Sequence, residues 1–157
     1  MASQNTTLFA AQIFSADYAT GQALPGSLDA GARTVTIADT YATTSAVTAA
    51  SQTITLCKLP AGVKVVSLEL IVPASVGTSS AKVGYGTIAS DGTVTVVDDD
   101  RWGTGIDLSS AGRVQFLKIA ADADYVTTSE VAVVLSPVTT NFATAITFAF
   151  VITYIIA

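Results

Sequence analysis

The chain has 157 residues, half of them hydrophobic and only 12% charged, with a mean hydropathy of +0.57. That length suits one domain with a genuine core, and the composition is too apolar for a disordered chain. The net charge of −5 comes with seven scattered basic residues, from Arg33 to Lys118, so no cationic stripe exists to displace counterions from phosphates; no nucleic-acid partner is expected.

The excess apolar content is in small and β-branched residues, which fit a pleated, half-buried surface better than a helix. In chain order, residues 1–32 differ from the rest. "LFAAQIFSADYATGQALPGSLDAGA" mixes isolated apolar residues with Gly and Pro. Leu8, Phe9, Ile13 and Phe14 could share one face of a short helix, and with Tyr18 they mark the segment as an extended arm laid across a neighbouring subunit. The N-terminus lacks the cationic and continuous apolar regions of a signal peptide, so synthesis in a cytoplasm is expected.

From Arg33 to Ala157 the period becomes two and a single domain is expected. "RTVTIADTY" alternates Val35 and Ile37 with Thr34, Thr36 and Ala38. "SQTITLCKL" alternates Ile54, Leu56 and Lys58 against Thr53, Thr55 and Cys57, and "LPAG" then supplies a turn signal. In "VKVVSLELIVPA" the face of Lys64, Val66, Leu68, Leu70 and Val72 reads as the core side. "KVGYGTIA" and "TVTVV" read as a hairpin, with Asp91-Gly92 at the centre of a type I′ turn. Gly84 and Gly86, either side of Tyr85, predict a bulge or a close backbone approach.

Two further strands are expected, around Val114–Ile119 and in "SEVAVVLSP", where Pro137 ends the run. The chain closes on "TAITFAFVITYIIA", too short for a membrane span, which needs about 20 apolar residues. It alternates Ile146, Phe148, Phe150, Ile152, Tyr154 and Ile156 with Thr147, Ala149, Val151, Thr153 and Ile155. Large residues on one side and small ones on the other describe a strand covered on both faces. The bulky face fits a core; the flatter one, with Val151, Thr153 and Ile155, fits a neighbouring loop or, the reading preferred here, another subunit. About eight short strands with turn signals between them predict an all-β, antiparallel, jelly-roll-like sandwich.

Little here is suited to catalysis. The chain has no histidine, which removes the commonest general base and the usual serine triad. The lone Cys57 excludes an internal disulfide and reads as a core thiol. The two glutamates, Glu69 and Glu130, both fall in strand patterns rather than among aromatic residues. Asp98-Asp99-Asp100 lacks the spacing of a Ca²⁺ loop and reads as a solvated strand end that blunts edge pairing. Trp102 near Tyr125 offers either a sugar platform or, more simply, a loop anchor on the core. No catalytic residue, cofactor or metal site is expected.

The block "LCKLPAGVKVVSLELIVPASVGTSSAKVGYGTIASDG", within residues 52 to 93, resembles head decoration (cement) proteins of tailed bacteriophages. An apolar strand runs into "LPAG", then a Val-rich strand, a Ser/Thr/Gly link and a strand ending in a "VGYG"-like turn. The resemblance implies a jelly-roll domain that forms trimers on the outside of a capsid and bridges its subunits, with the major capsid protein as partner and the host bacterial cytoplasm as the place of synthesis. Phage tail fibres and tailspikes share such sandwich texture, so a glycan- or receptor-binding module is the alternative.

Overall fold

A computed structural model describes residues 2–5, 34–43, 46–47, 52–72, 80–116, 125–138, 141–142 and 146–156, with 2–5 and 116 as backbone alone. Among them are nine strands: β1 (Ala2–Asn5), β2 (Thr34–Ala42), β3 (Gln52–Leu59), β4 (Val63–Val72), β5 (Ser80–Ile88), β6 (Val94–Asp107), β7 (Gly112–Phe116), β8 (Val131–Pro137) and β9 (Thr147–Ile156). One sheet has the order β1-β3-β8-β5-β6 and the other β2-β9-β4-β7. Apart from β1, which runs parallel to β3, every pairing is antiparallel. From β2 to β9 each strand passes to the opposite sheet, except for the β5–β6 hairpin. Eight strands wound in this way form a jelly roll, the architecture the alternation and turn spacing predict.

The core lies between the two sheets. β9 contributes Phe148, Phe150, Ile152 and Tyr154, facing Ile54, Leu56, Val133 and Leu135 of the other sheet. Alternation along β9 follows the sequence pattern except at Ile156, which is 41% exposed where the strand ends. β8 is buried at every position, as its apolar run from Val131 to Leu135 requires.

Two bulges correct the alternation read from sequence. In β3 the register shifts between Thr55 and Cys57, so Leu56 and Cys57 both enter the core and Lys58 turns away from it. In β4 the shift lies between Val65 and Ser67. Val63 and Val65 are therefore core residues, whereas Lys64 and Val66, expected inside, are not. One extra residue on one strand reverses the facing of everything before it.

The β5–β6 hairpin also departs from expectation. Ala89 C=O accepts from Gly92 N–H at 2.9 Å, so Ser90 and Asp91 occupy the centre of the turn. Gly92 follows with φ of 82°, completing a three-residue loop in place of the two-residue type I′ turn. Thr93 N–H donates to Asp91 Oδ1 at 2.9 Å and secures it.

β6 itself is a strand of 14 residues, much longer than the expected "TVTVV", and Asp98–Asp100 lie within it rather than at its end. Register shifts at three places let it follow the shorter β5. Gly84 and Gly86 pair with Val134 and Ala132, which face away from the main core. A Cβ on Gly84 would collide with the Asp98 carbonyl oxygen and lie 2.6 Å from the carbonyl carbon of Asp99. One on Gly86 would lie 2.6 Å from Thr95 O. The β6 backbone therefore folds onto the outer face of β5 over two missing side chains, the close approach that "GYG" predicts. Val94, Ala132 and Val134 form a second small apolar cluster beneath it, with Ile88 and Val96 packed against them.

Candidate assembly surface

The outer face of the four-stranded sheet contains the three C-terminal contact residues proposed from sequence. Because β9 is central, each sits between two neighbours: Val151 between Ala38 and Glu69, Thr153 between Thr36 and Ser67, Ile155 between Thr34 and Lys64. All three are half-buried in the single chain. Their polar neighbours are paired within the surface. Thr36 and Thr153 hydroxyls lie 3.1 Å apart, Gln115 Nε2 donates to Ser67 Oγ at 3.2 Å, and Arg113 bonds to Glu69 at 3.0 Å. Groups already paired lose less on leaving water than bare ones. The result is a surface on which the small side chains of β9 lie among polar groups that already have partners. Leu8, Phe9, Ile13, Phe14 and Tyr18, the proposed arm contacts, lie outside the described residues.

A second constellation surrounds the hairpin. Tyr85 stacks on Tyr125 with ring centroids 5.2 Å apart, and Trp102 approaches both at 6.1 and 6.3 Å. The Arg101 guanidinium sits 4.6 Å from the centre of the Tyr125 ring, and its Nε reaches Asp98 at 3.2 Å. Trp102 is only 2% exposed. It anchors β6 in the core, so the rings gather without forming an open sugar platform. Burial, and then a hydrogen bond with Tyr85, pushes the Tyr125 hydroxyl up to about 12. Sequence reasoning paired Trp102 with Tyr125 but missed Tyr85 and Arg101. The "GYG" spacing carried a trace of Tyr85, since glycines on both sides set the bulky ring against the opposite face.

The acidic run is engaged by cations of the protein. Asp98 pairs with Arg101, and Lys82 reaches Asp99 at 3.3 Å. Among the described residues no group of three His, Cys, Asp or Glu side chains is placed to hold a metal ion. Both glutamates fall in strand patterns, but only Glu69 is in a strand, β4, while Glu130 immediately precedes β8; each has its own partner, Glu69 with Arg113 and Glu130 with Lys58 at 2.7 Å. No carboxylate pair for glycoside hydrolysis comes together from them. Cys57 is fully buried, and burial, with the negative charge of Asp39 adding, raises its thiol well above the ordinary range. A thiol held protonated in this way is no nucleophile. Among the described residues no helix is long and apolar enough to cross a membrane.

No protein-family model matches the chain, and no curated protein sequence matches it. Solved structures do resemble it. A chain from the capsid of Ralstonia phage GP4 superposes with a TM-score of 0.63 at 19% identity, covering 99% of both chains. A chain from the capsid asymmetric unit of cyanophage Pam1 gives a TM-score of 0.56 at 17% identity, covering 86% of this chain and 92% of that one. At such identities the likeness establishes the fold, which both share over nearly their whole length.

Proposed function

We propose that this chain is a structural virion protein that decorates a phage capsid and stabilises it by bridging capsid subunits. The observation that carries this reading is end-to-end similarity, over 99% of both chains, to a chain of the Ralstonia phage GP4 capsid. The flat outer face of β9 supplies a surface of the required kind. In this reading Val151, Thr153 and Ile155 are buried between copies in a trimer. The residues of the arm, Leu8, Phe9, Ile13, Phe14 and Tyr18, extend the contact to a neighbour. The partner is the major capsid protein and the location is the capsid exterior. Burial of apolar area across subunit junctions stabilises the assembled shell over its open form.

The test is reconstitution. Capsids made without the protein, mixed with purified chain, are expected to acquire it as trimeric density on their outer surface in electron microscopy, and to resist heat better. A chain that stays monomeric in gel filtration and leaves such capsids bare defeats the proposal.

A further inference from the structure

The sequence contains one Asp-Gly pair, Asp91-Gly92, and no Asn-Gly pair. Asp-Gly is the peptide bond best suited to succinimide chemistry, because glycine has no side chain to shield its nitrogen and leaves the backbone free to turn. In that reaction the Gly92 nitrogen attacks Asp91 Cγ and an N–Cγ bond forms. The amide proton and the carboxyl hydroxyl leave together as water. Water then reopens the ring. Cleavage at the side-chain carbonyl restores aspartate; cleavage at the main-chain carbonyl leaves isoaspartate, with the chain running through the former side chain. One water is lost and one regained, and nothing is oxidised or reduced.

The pair lies at the tip of the β5–β6 hairpin, and Asp91 is exposed to solvent. What the closed turn withholds is both reactants. Gly92 N–H is bound to Ala89 O at 2.9 Å, so the nitrogen that must attack is held with its proton on Ala89. The Asp91 carboxylate accepts Thr93 N–H at 2.9 Å. Those bonds to Thr93 hold the carboxyl below the usual carboxylate range, whereas only a protonated carboxyl can release its hydroxyl as water.

We propose that Asp91-Gly92 is a modification site for isoaspartate formation, kept unreactive by the closed turn and released when the hairpin tip opens. Asp107 supplies the comparison within the same chain. Its Oδ1 accepts from Ser109 N–H at 2.8 Å, the same capture two residues on, but the residue that follows it is Leu108, branched and fully buried. That side chain shields the nitrogen, so Asp107 forms far less isoaspartate. The product at Asp91 does not fit the turn. It adds a methylene to the main chain between Ala89 and Thr93 and moves the carboxylate to the α-carbon, away from Thr93 N–H. The Ala89–Thr93 and Ile88–Val94 pairs that close the ladder then lose their register, and the tip stays open. The inference is independent of the proposed function, because it concerns the purified chain with no capsid present.

Ageing the purified chain at neutral pH tests it, with an isoaspartyl methyltransferase as the probe and peptide mapping to place the label. In guanidinium chloride, isoaspartate is expected to accumulate at Asp91 and far less at Asp107; the folded chain should form it at Asp91 at least about tenfold more slowly, as the two turn hydrogen bonds must open first. Equal rates in the two states, or no isoaspartate at Asp91 in the unfolded chain, overturn the proposal. Two variants, each checked for folding by circular dichroism, separate the turn from folding in general. Asp91→Asn needs no protonated carboxyl, so its deamidation, read as a mass change, isolates the hold on Gly92 N–H and should still be slower in the folded chain. Thr93→Pro removes the N–H that Asp91 accepts while the Thr93 carbonyl position still receives Ala89 N–H. Folded Thr93→Pro is expected to form isoaspartate faster than the parent, and a rate as slow as the parent's overturns the role of the turn.

Discussion

Thr127 shows how much one hydroxyl can organise. It is buried beside the β3–β4 turn, where its Oγ1 donates to Pro60 O at 2.7 Å and accepts from Val63 N–H at 3.0 Å, while its carbonyl accepts from Gly62 N–H. Thr127→Val keeps the shape and strands these partners, so a loss of about 1–3 kcal/mol is expected in urea denaturation. The Thr55 hydroxyl is the opposite case, fully buried with no hydrogen-bond partner. Thr55→Val removes that desolvation cost and is expected to stabilise the chain by about 1 kcal/mol in the same assay. Alkali should act on Tyr41, which burial also raises, and on two residues raised further. Burial raises both Cys57 and Tyr125, so the folded state holds their protons more tightly than the unfolded state. Stability they confer is complete below their ordinary values of 9.0 and 10.0 and is lost as pH rises past them. The melting temperature should therefore fall from about pH 9 upward. Tyr125→Phe should flatten the decline between about 10 and 12, and a curve unchanged by it would refute the assignment.

Among the elements, β6 is the most dependent on its neighbour. Gly84→Ala would drive a Cβ into the backbone at Asp98–Asp100, where no flexible side-chain end can yield. A loss of about 3 kcal/mol or more is expected by denaturant titration, and a near-neutral result would mean that β6 does not lie over β5. This element also marks how far local pattern carries. β2 and β9 were legible because one period runs unbroken through each, and β8 because its apolar run from Val131 to Leu135 leaves neither face for solvent. The bulges in β3 and β4 were not legible. Each is fixed by which residue a partner strand presents across the ladder, and that partner lies far off in sequence. Leu56 and Val66 look like ordinary members of an alternation until β8 and β9 are set beside them. Likewise "DDDRWG" reads on its own as the end of a strand; only pairing with β5 carries the strand through it, with Trp102 turned inward. Of the assembly surface, the small face of β9 was visible in the alternation, while its Thr36 and Arg113 neighbours came from sheet order.

For the whole molecule, the decisive quantity is how a surface behaves once it meets another copy. Thr153 lies at the centre of the outer face, half-buried, its hydroxyl bonded to that of Thr36. Thr153→Lys should leave the isolated chain within about 0.5 kcal/mol of its original stability, as surface changes usually do. It should also abolish trimers in sedimentation, because a charge cannot be covered without a partner. Trimers that persist would remove this face from the proposed assembly.

The pairing of β2 with β9 carries a further consequence, for biosynthesis. Thr36 and Thr153, which touch across that ladder, are 117 residues apart in the chain. While the ribosome is still working, β2 has emerged and β9 has not, so the second sheet lacks its middle. Contacts that span so much chain are slow to form, and the waiting strand is exposed to every other nascent copy nearby. The threonines spaced along β2 keep it wettable through that interval. β9 joins β2 to β4, so a copy truncated before β9 leaves the four-stranded sheet without the strand that holds its two sides together.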